Sequence, residues 1–137
     1  MKKGDYVTDQ ELVTLAIEMQ ARSYAPYSHF AVGAALLCDD GTVFTGCNVE
    51  NAAYGSTICA ERTALVKAIS EGYTDGFSAI AIAGQGEDYC WPCGSCRQML
   101  YEFAPNLKVL AARKDRDFRF ASLSELLPNG FGPHSLD

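Results

Sequence analysis

The fold is decided by residues 77–103, whose sequence is FSAIAIAGQGEDYCWPCGSCRQMLYEF. Residues 77–83 form an almost wholly apolar run, which predicts a buried strand. The glycines and acidic residues of 84–92 predict a loop. Residues 94–103 predict a helix whose inward-facing side chains recur at helical spacing, namely Met99, Leu100 and Phe103. A strand, a loop and a helix in this order form the centre of the predicted structure.

Similar patterns extend this unit in both directions along the chain. Thr8 and Glu11 have the spacing of a capping box, and they predict a first helix over 8–22. A second helix is predicted over 58–70. The remaining predicted elements are strands at 30–37, 42–45, 107–112 and 117–120 and a last helical turn at 122–127. The sequence therefore predicts an α/β fold in which helices flank a five-stranded sheet.

Length and charge limit the possible classes of protein. A chain of 137 residues has the usual size of one domain, and we predict a single domain over 1–137. The formal net charge of -6 disfavours binding to a nucleic-acid backbone. Met-Lys-Lys at 1–3 resembles the start of a signal peptide, but Gly4 and Asp5 follow at once, and no uncharged apolar run of secretory or membrane-spanning length occurs. We expect a cytoplasmic protein with neither a nucleic-acid nor a membrane partner.

Four of the six cysteines form the main functional pattern. Cys90, Cys93 and Cys96 form a tandem C-x-x-C-x-x-C, and Cys59 lies upstream in the sequence. An iron–sulfur cluster of the bacterial ferredoxin type needs a fourth cysteine after three further residues and then a proline, and neither is present. A thioredoxin-like redox pair is a second interpretation, but it assigns no role to Cys59 or Glu61.

A catalytic zinc site is the interpretation that we favour. Zinc that activates water takes three protein ligands and keeps one position open, and Cys59, Cys93 and Cys96 can supply the three. Cys93 and Cys96 lie three residues apart at a helix start, so one metal ion can contact both. The N-terminus of each helix carries about +0.5 of a charge and favours thiolates there. Arg62 is placed to offset the negative charge of three thiolates, although a surface ion pair is an alternative role.

The other cysteines and both histidines match no ligand pattern. Cys90 is predicted to be structural, because it neither follows a proline nor opens a helix. Cys38 and Cys47 are predicted to be small buried side chains, which is the usual state of a free cysteine. We assign no function to His29 or His134, since a lone histidine in a loop is more often solvated than catalytic.

Two motifs resemble one known family. CAER at 59–62 and PCGSCR at 92–97 are similar to the signature of the cytidine deaminase family, in the branch whose zinc has three cysteine ligands. The similarity continues through YAPYS at 24–28, Phe30 with VGAAL at 32–36, and NVEN at 48–51. The resemblance implies a three-layer α/β/α fold with a mixed five-stranded sheet, one zinc ion per subunit and a homotetramer.

The resemblance also implies a reaction, which is the deamination of cytidine or deoxycytidine to uridine or deoxyuridine and ammonia in pyrimidine salvage. Glu61 is expected to remove a proton from a zinc-activated water and to return it to N3 of the ring. It then helps to protonate the leaving amino group. The alternative for Glu61 is an acid in the first turn of a helix, stabilised by the helix dipole.

Substrate contacts are likewise implied by the resemblance. Asn48 and Glu50 are expected to hold ribose hydroxyls, Phe30 to pack against the pyrimidine, and Ala60 to contact the substrate. Without the resemblance, Phe30 could equally be a core strand residue and Asn48 a loop former. Phe131, in the tail sequence NGFG at 129–132, is too apolar a side chain to expect free in solution, and it is a candidate for covering a pocket and for a contact between subunits.

Three other functions remain as alternatives. The family of deaminases that act on a cytosine nucleoside antibiotic such as blasticidin S shares both motifs, but the NVEN segment at 48–51 favours cytidine. Deaminases of RNA or DNA usually have histidine in place of Cys59 and must bind a charged backbone. A structural zinc module would fill the metal's fourth position with a protein ligand.

Overall fold

The computed structural model describes residues 7–136 of the chain. Within this range the strands are β1 (Gly33–Cys38), β2 (Val43–Cys47), β3 (Phe77–Ala83), β4 (Lys108–Ala112) and β5 (Phe118–Ser122). The helices are α1 (Asp9–Met19), α2 (Ala60–Ser70), α3 (Gly94–Phe103) and α4 (Leu123–Leu126), with 3-10 turns at Gln20–Arg22, Tyr54–Ser56 and Pro133–Leu136. Residues 1–5, on which the expectation about a leader rests, lie outside the described range. In the described part of the chain, none of the helices has the length and apolar character needed to cross a membrane.

The strands form one mixed sheet in the order β2-β1-β3-β4-β5. Strands β3 and β4 run parallel, and the other neighbouring pairs run antiparallel. The parallel pair is connected through α3, as a crossover between parallel strands requires. The predicted five-stranded sheet is therefore confirmed.

Helices cover both faces of the sheet. On one face, α1 packs against side chains that alternate along the two central strands, namely Ala35, Leu37, Ala79 and Ala81. On the other face, α2 and α3 pack against the intervening side chains, namely Ala34, Leu36, Ile80 and Ile82. Because successive strand residues point to opposite faces, a strand buried on both sides is apolar throughout. The three-layer α/β/α arrangement is confirmed.

The first strand begins later than predicted. The apolar run at 30–37 predicts a strand from its first residue, but β1 begins at Gly33. The side chain of Asn48 binds the backbone just before it: Oδ1 accepts from the Val32 N–H at 2.9 Å, and Nδ2 donates to the Phe30 carbonyl at 2.8 Å. These bonds occupy backbone groups that a longer strand would present to its neighbour.

Helix starts agree more closely with the sequence prediction. Thr8 Oγ1 accepts from the Glu11 N–H at 3.1 Å, and Glu11 Oε1 accepts from the Thr8 N–H at 3.0 Å, so the predicted capping box is confirmed. The helix predicted over 58–70 begins at Ala60. Cys59 has an extended backbone and is its N-cap, which places this side chain at the end of the helix rather than along its side.

A glycine allows α2 to lie directly on β2. A Cβ atom at Gly46 would lie 2.6 Å from the amide nitrogen of Ala64 and closer still to the carbonyl oxygen of Ala60. Any larger residue at this position would push α2 away from the sheet. The contact thus fixes the N-terminal half of α2, which carries Cys59 and Glu61.

Candidate active site

The three cysteines predicted as zinc ligands lie together at the starts of two helices. Cys59 is the N-cap of α2, Cys93 is the N-cap of α3, and Cys96 lies in the first turn of α3. The Sγ atom of Cys93 is 3.8 Å from that of Cys59 and 3.4 Å from that of Cys96, and all three sulfurs lie within 4.8 Å of one another. Cys90 does not belong to this group. Cys38 is buried in the core as predicted, whereas Cys47, for which burial was also predicted, is only half-buried.

The spacing of these sulfurs fits a tetrahedral zinc ion. With Zn–S bonds of about 2.3 Å, two sulfurs of a tetrahedral site are about 3.8 Å apart. The distance from Cys59 to Cys93 has this value, and the distance from Cys93 to Cys96 is slightly shorter. Across residues 7–136, no fourth cysteine, histidine or acidic side chain joins the group. The donor set therefore fits a zinc ion with one position left for water or substrate.

Arg97 holds the start of α3 in place, a role that the sequence analysis did not assign. Its Nε donates to the Pro92 carbonyl at 2.7 Å, and its Nη1 donates to the Leu126 carbonyl at 2.9 Å. The residue before Cys93 is thereby tied to α4. The position of Arg97 directly after Cys96 was the available signal, but spacing alone does not reveal a partner so distant in sequence.

Arg62 lies beside the cysteine group. Its Nη2 donates to the Thr57 carbonyl at 3.2 Å and approaches Cys59 Sγ at 3.6 Å. The pKa of Cys59 is lowered to about 5. The hydrogen bond with the Cys96 thiol makes the largest contribution, and the hydrogen bond with Arg62 lowers the pKa further. The pKa of Cys96 is raised, first by its hydrogen bond to Cys59 and then by burial. In the described part of the chain no carboxylate forms an ion pair with Arg62, so nothing supports the surface-pair alternative.

Glu61 lies in the first turn of α2, and its residue surface is only 4% exposed. It lines a cavity of about 200 Å³ that Cys59 and Cys93 also line. Burial raises the pKa of the Glu61 carboxyl to about 7. A carboxyl group with such a pKa can both accept and release a proton near neutral pH. An acid that only stabilises a helix end does not need this burial.

Asn48 lines the same cavity, together with Ala60, and most of its amide is already in use. Its Oδ1 accepts hydrogen bonds from the Val32 N–H and the Ser23 hydroxyl, while one Nδ2 proton goes to the Phe30 carbonyl. An amide nitrogen has two protons, so one remains for a ligand. Asn48 can therefore shape the cavity and donate one hydrogen bond into it.

Glu50 lies in an adjoining cavity of about 300 Å³, lined also by Tyr27, Ser28, Tyr54 and Thr57. Thr57 lines both cavities, so the two are neighbours. Glu50 Oε1 accepts from the N–H groups of Tyr27 and Ser28, each at 3.0 Å, and its Oε2 accepts from the Ser28 hydroxyl. These bonds, first the one from the Ser28 hydroxyl, lower the pKa of Glu50 and keep it a carboxylate.

Phe30, predicted to pack against the pyrimidine, and Phe131, the candidate for a contact between subunits, line neither of the two cavities. Phe30 is 40% exposed and precedes β1, so the alternative of a core strand residue is wrong. A Cβ atom at Gly84 would lie 3.1 Å from the Phe30 ring and 3.0 Å from Cys90 Sγ, so the ring neighbours one residue of the cavity wall. Phe131 is 59% exposed, and its carbonyl accepts from Gln98 Nε2 at 2.8 Å.

Sequence comparison identifies related proteins over most of the chain. A family model described as the cytidine and deoxycytidylate deaminase zinc-binding region matches residues 7–112. A cytidine deaminase of Halalkalibacterium halodurans is 48% identical over 123 residues, which cover 89% of this chain and 92% of that one. A probable cytidine deaminase of Dictyostelium discoideum is 44% identical over 93% of this chain and 86% of its own length.

Solved structures show the same fold. The crystal structure of cytidine deaminase from Burkholderia pseudomallei matches with a TM-score of 0.89 at 46% identity, covering 91% of this chain and 100% of that chain. The crystal structure of cytidine deaminase from Mycobacterium tuberculosis matches with a TM-score of 0.76 at 42% identity, covering 88% of this chain and 94% of that chain.

Proposed function

Since this chain belongs to the cytidine and deoxycytidylate deaminase family, we propose that it hydrolyses cytidine and deoxycytidine to uridine and deoxyuridine, with release of ammonia. One observation carries the proposal. Three cysteine sulfurs lie within 4.8 Å of one another, and two of these cysteines, Cys59 and Cys93, line a cavity that the buried Glu61 also lines. This is the combination that metal-assisted hydrolysis requires.

The residues that would hold zinc are Cys59, Cys93 and Cys96, and we propose one ion per chain. When bound, zinc lowers the pKa of a water molecule and so supplies a nucleophile near neutral pH. The positive ends of α2 and α3 favour the thiolate forms of the ligands. Arg62, beside Cys59, offsets part of the negative charge that three thiolates bring.

Glu61 moves the protons of the reaction. Its carboxylate takes a proton from the attacking water and delivers it to N3 of the pyrimidine, while the water oxygen bonds to C4. Glu61 then carries the proton of the added hydroxyl to the amino group. The bond between C4 and this nitrogen breaks, ammonia leaves, and the C4 carbonyl of uridine forms with the first proton still on N3. The carboxyl group ends in its starting state.

The two neighbouring cavities fit the two parts of a nucleoside. The base would lie in the smaller cavity beside Glu61 and Ala60, and the sugar would extend past Thr57 towards Glu50. The free amide proton of Asn48 donates to a sugar hydroxyl, and Glu50 accepts from another with its remaining lone pairs. Phe30 packs against the pyrimidine from the side of Cys90.

Large side chains exposed on the single chain favour an oligomer. Those in the segment around the cavities are Tyr24, Tyr27, Phe30, Val49, Tyr54 and Ile58. Apolar patches of this kind often mark contacts between subunits. We propose a homotetramer of one-domain subunits, spanning 1–137, in which Phe131 contacts a neighbouring site. The proposed setting is cytoplasmic pyrimidine salvage.

An assay with a panel of substrates tests the proposed function. Purified zinc-loaded protein is incubated separately with cytidine, deoxycytidine, cytosine, a cytidine monophosphate and blasticidin S, and ammonia release is followed. We expect turnover of cytidine and deoxycytidine and much slower turnover of free cytosine. Turnover of blasticidin S alone would support the antibiotic alternative. No turnover, with a zinc ion that lacks an exchangeable water, would support a structural zinc module.

A further inference from the structure

Trp91 has no role in the reaction described above, although it lies beside the reacting groups. It lines the cavity of about 200 Å³ together with Cys59, Glu61 and Cys93, and it also packs against the hydrophobic core. We propose that Trp91 is a specificity-determining residue whose indole ring contacts the bound pyrimidine. This inference rests on the proposed function and deepens it.

The residue two positions earlier is anchored outside the cavity. The guanidinium groups of Arg113 and Arg119 lie over the ring of Tyr89, at 4.8 Å and 4.7 Å from its centroid. The Tyr89 hydroxyl donates to Asp117 Oδ2 at 2.5 Å. Cation–π contacts of this kind stabilise an exposed aromatic ring. The chain leading into Trp91 is thereby fastened to the end of β4 and the start of β5.

Backbone hydrogen bonds fasten the same loop. The Lys114 N–H donates to the Gly86 carbonyl at 3.1 Å, and the Cys90 N–H donates to the Ala112 carbonyl at 3.2 Å. Pro92, directly after Trp91, is buried and accepts from Arg97. A side chain on a loop held at both ends can contact a ligand with little further loss of conformational freedom.

The chemistry of the indole ring suits a flat base. Aromatic side chains can stack on any nucleobase, because every base has a flat π-face. Removing such a contact typically weakens binding roughly 5- to 150-fold. The cavity is smaller than the roughly 300–1,000 Å³ of pockets that take whole drug-sized ligands. A cavity of this size suits a single small ring, and Trp91 gives that ring an apolar wall to contact.

The first test uses the unmodified protein, because Trp91 is its single tryptophan. Zinc-loaded protein is titrated with uridine, which is the proposed product, and tryptophan emission is excited where the nucleoside does not absorb. We expect a saturable change in emission whose midpoint equals the inhibition constant of uridine in the deamination assay. Guanosine, whose base has two fused rings rather than one, should cause no saturable change. Competitive inhibition by uridine without any change in emission would overturn the inference.

The second test compares Trp91→Ala with Trp91→Phe. Removing the ring should raise KM for cytidine roughly 5- to 150-fold, and phenylalanine should restore most of the affinity. Zinc content and Tm are measured for each variant, since a purely structural role would lower Tm without changing KM. Phe120→Ala is the matched control, because Phe120 is an exposed aromatic residue on β5 that lines neither cavity. An unchanged KM in zinc-loaded, folded Trp91→Ala would overturn the inference.

These outcomes separate the inference from the proposed function. If the wild-type protein does not deaminate cytidine, the proposed function fails and the inference fails with it. If the wild-type protein deaminates cytidine but Trp91→Ala has the wild-type KM, the inference alone fails.

Discussion

The Nη2 atom of Arg62 lies 3.6 Å from Cys59 Sγ, so a cation faces one of three adjacent thiols. Its positive charge helps to lower the pKa of Cys59, after the larger contribution of the Cys96 hydrogen bond. Removing this charge raises the pKa of Cys59, and protons then compete with the metal at a higher pH. Arg62, which is not itself a ligand, thus affects the acidity of the proposed ligand Cys59.

Replacing Arg62 by Gln should leave zinc bound at neutral pH but lower turnover. We expect the pH profile of kcat/KM to move to higher pH, and zinc to dissociate at a higher pH when the protein is acidified, because the thiolates lose their compensating charge. Activity and zinc content across a pH series measure both effects. Arg22→Gln, which removes an exposed arginine, is the control. Identical profiles for Arg62→Gln and wild type would assign Arg62 a surface role.

Replacing any of Cys59, Cys93 and Cys96 by Ala should abolish tight zinc binding, because two thiolates and water hold zinc less firmly than three thiolates. Cys90→Ala should keep one zinc per chain, since Cys90 lies outside the sulfur group. Metal analysis of the purified variants decides the ligand set. Iron with labile sulfide in the wild-type protein, or zinc loss only on changing Cys90, would contradict it.

Glu61→Gln keeps the size of the side chain but cannot carry a proton. We expect kcat to fall by at least about 10⁴-fold, the upper end of the usual effect of general acid–base catalysis, because one residue serves several transfers. Zinc content should be unchanged, and a hydrated-pyrimidine analogue should bind more weakly, since it resembles the tetrahedral species. Glu71→Gln, at the exposed far end of α2, is the control. Turnover within a few-fold of wild type would leave Glu61 as a helix-stabilising acid.

Asn48→Ala and Glu50→Ala should both raise KM for cytidine, because each leaves a sugar hydroxyl without a partner. Asn48→Ala should in addition lower the free energy of unfolding by about 1–3 kcal/mol, since two half-buried hydrogen bonds to the backbone of Phe30 and Val32 are lost and each contributes about 0.5–1.5 kcal/mol. Kinetics and chemical denaturation measure the two effects separately. Asn51→Ala, in an exposed turn, should change neither. Equal wild-type activity on cytosine and cytidine would show that the sugar is not recognised.

Sedimentation should show a tetramer at assay concentration, and Phe131→Ala should raise KM several-fold. The reason is that Phe131 is exposed on the single chain and is proposed to contact a neighbouring site. Leu136→Ala removes another exposed apolar side chain of the tail and should leave KM unchanged. A catalytically active monomer, or identical kinetics for the two variants, would argue against the proposed contact.

Local spacing was the most informative part of the sequence. Cys93 and Cys96 could be placed at one helix start because three residues separate them, and Thr8 with Glu11 predicted a helix end correctly. The start of β1 could not be predicted, because the side chain of Asn48 comes from a later part of the chain to occupy the backbone before Gly33. Interactions that cross the fold in this way leave no periodic signal.

Arg97 shows the same limit within the site, whereas Arg62 does not. Both follow a predicted zinc ligand in the sequence, but the contact of Arg97 with Leu126 depends on how α4 packs against α3. The contact of Arg62 with Cys59 joins residues three apart, so the sequence alone could predict it. The sequence was informative where partners are a few residues apart and much less so where folding brings distant segments together.

The absence of a side chain at Gly46 has a consequence for engineering new substrate preferences. Libraries that vary Glu50 or Trp91 alter the walls of the cavities, whereas one added methyl group at Gly46 would collide with the backbone of α2 at Ala60 and Ala64. Such a change would shift Cys59 and Glu61 together, although position 46 never meets the substrate. A mutational scan that scores only activity would therefore mark Gly46 as intolerant. Such a scan would not distinguish a residue that sets the position of α2 from one that contacts the substrate.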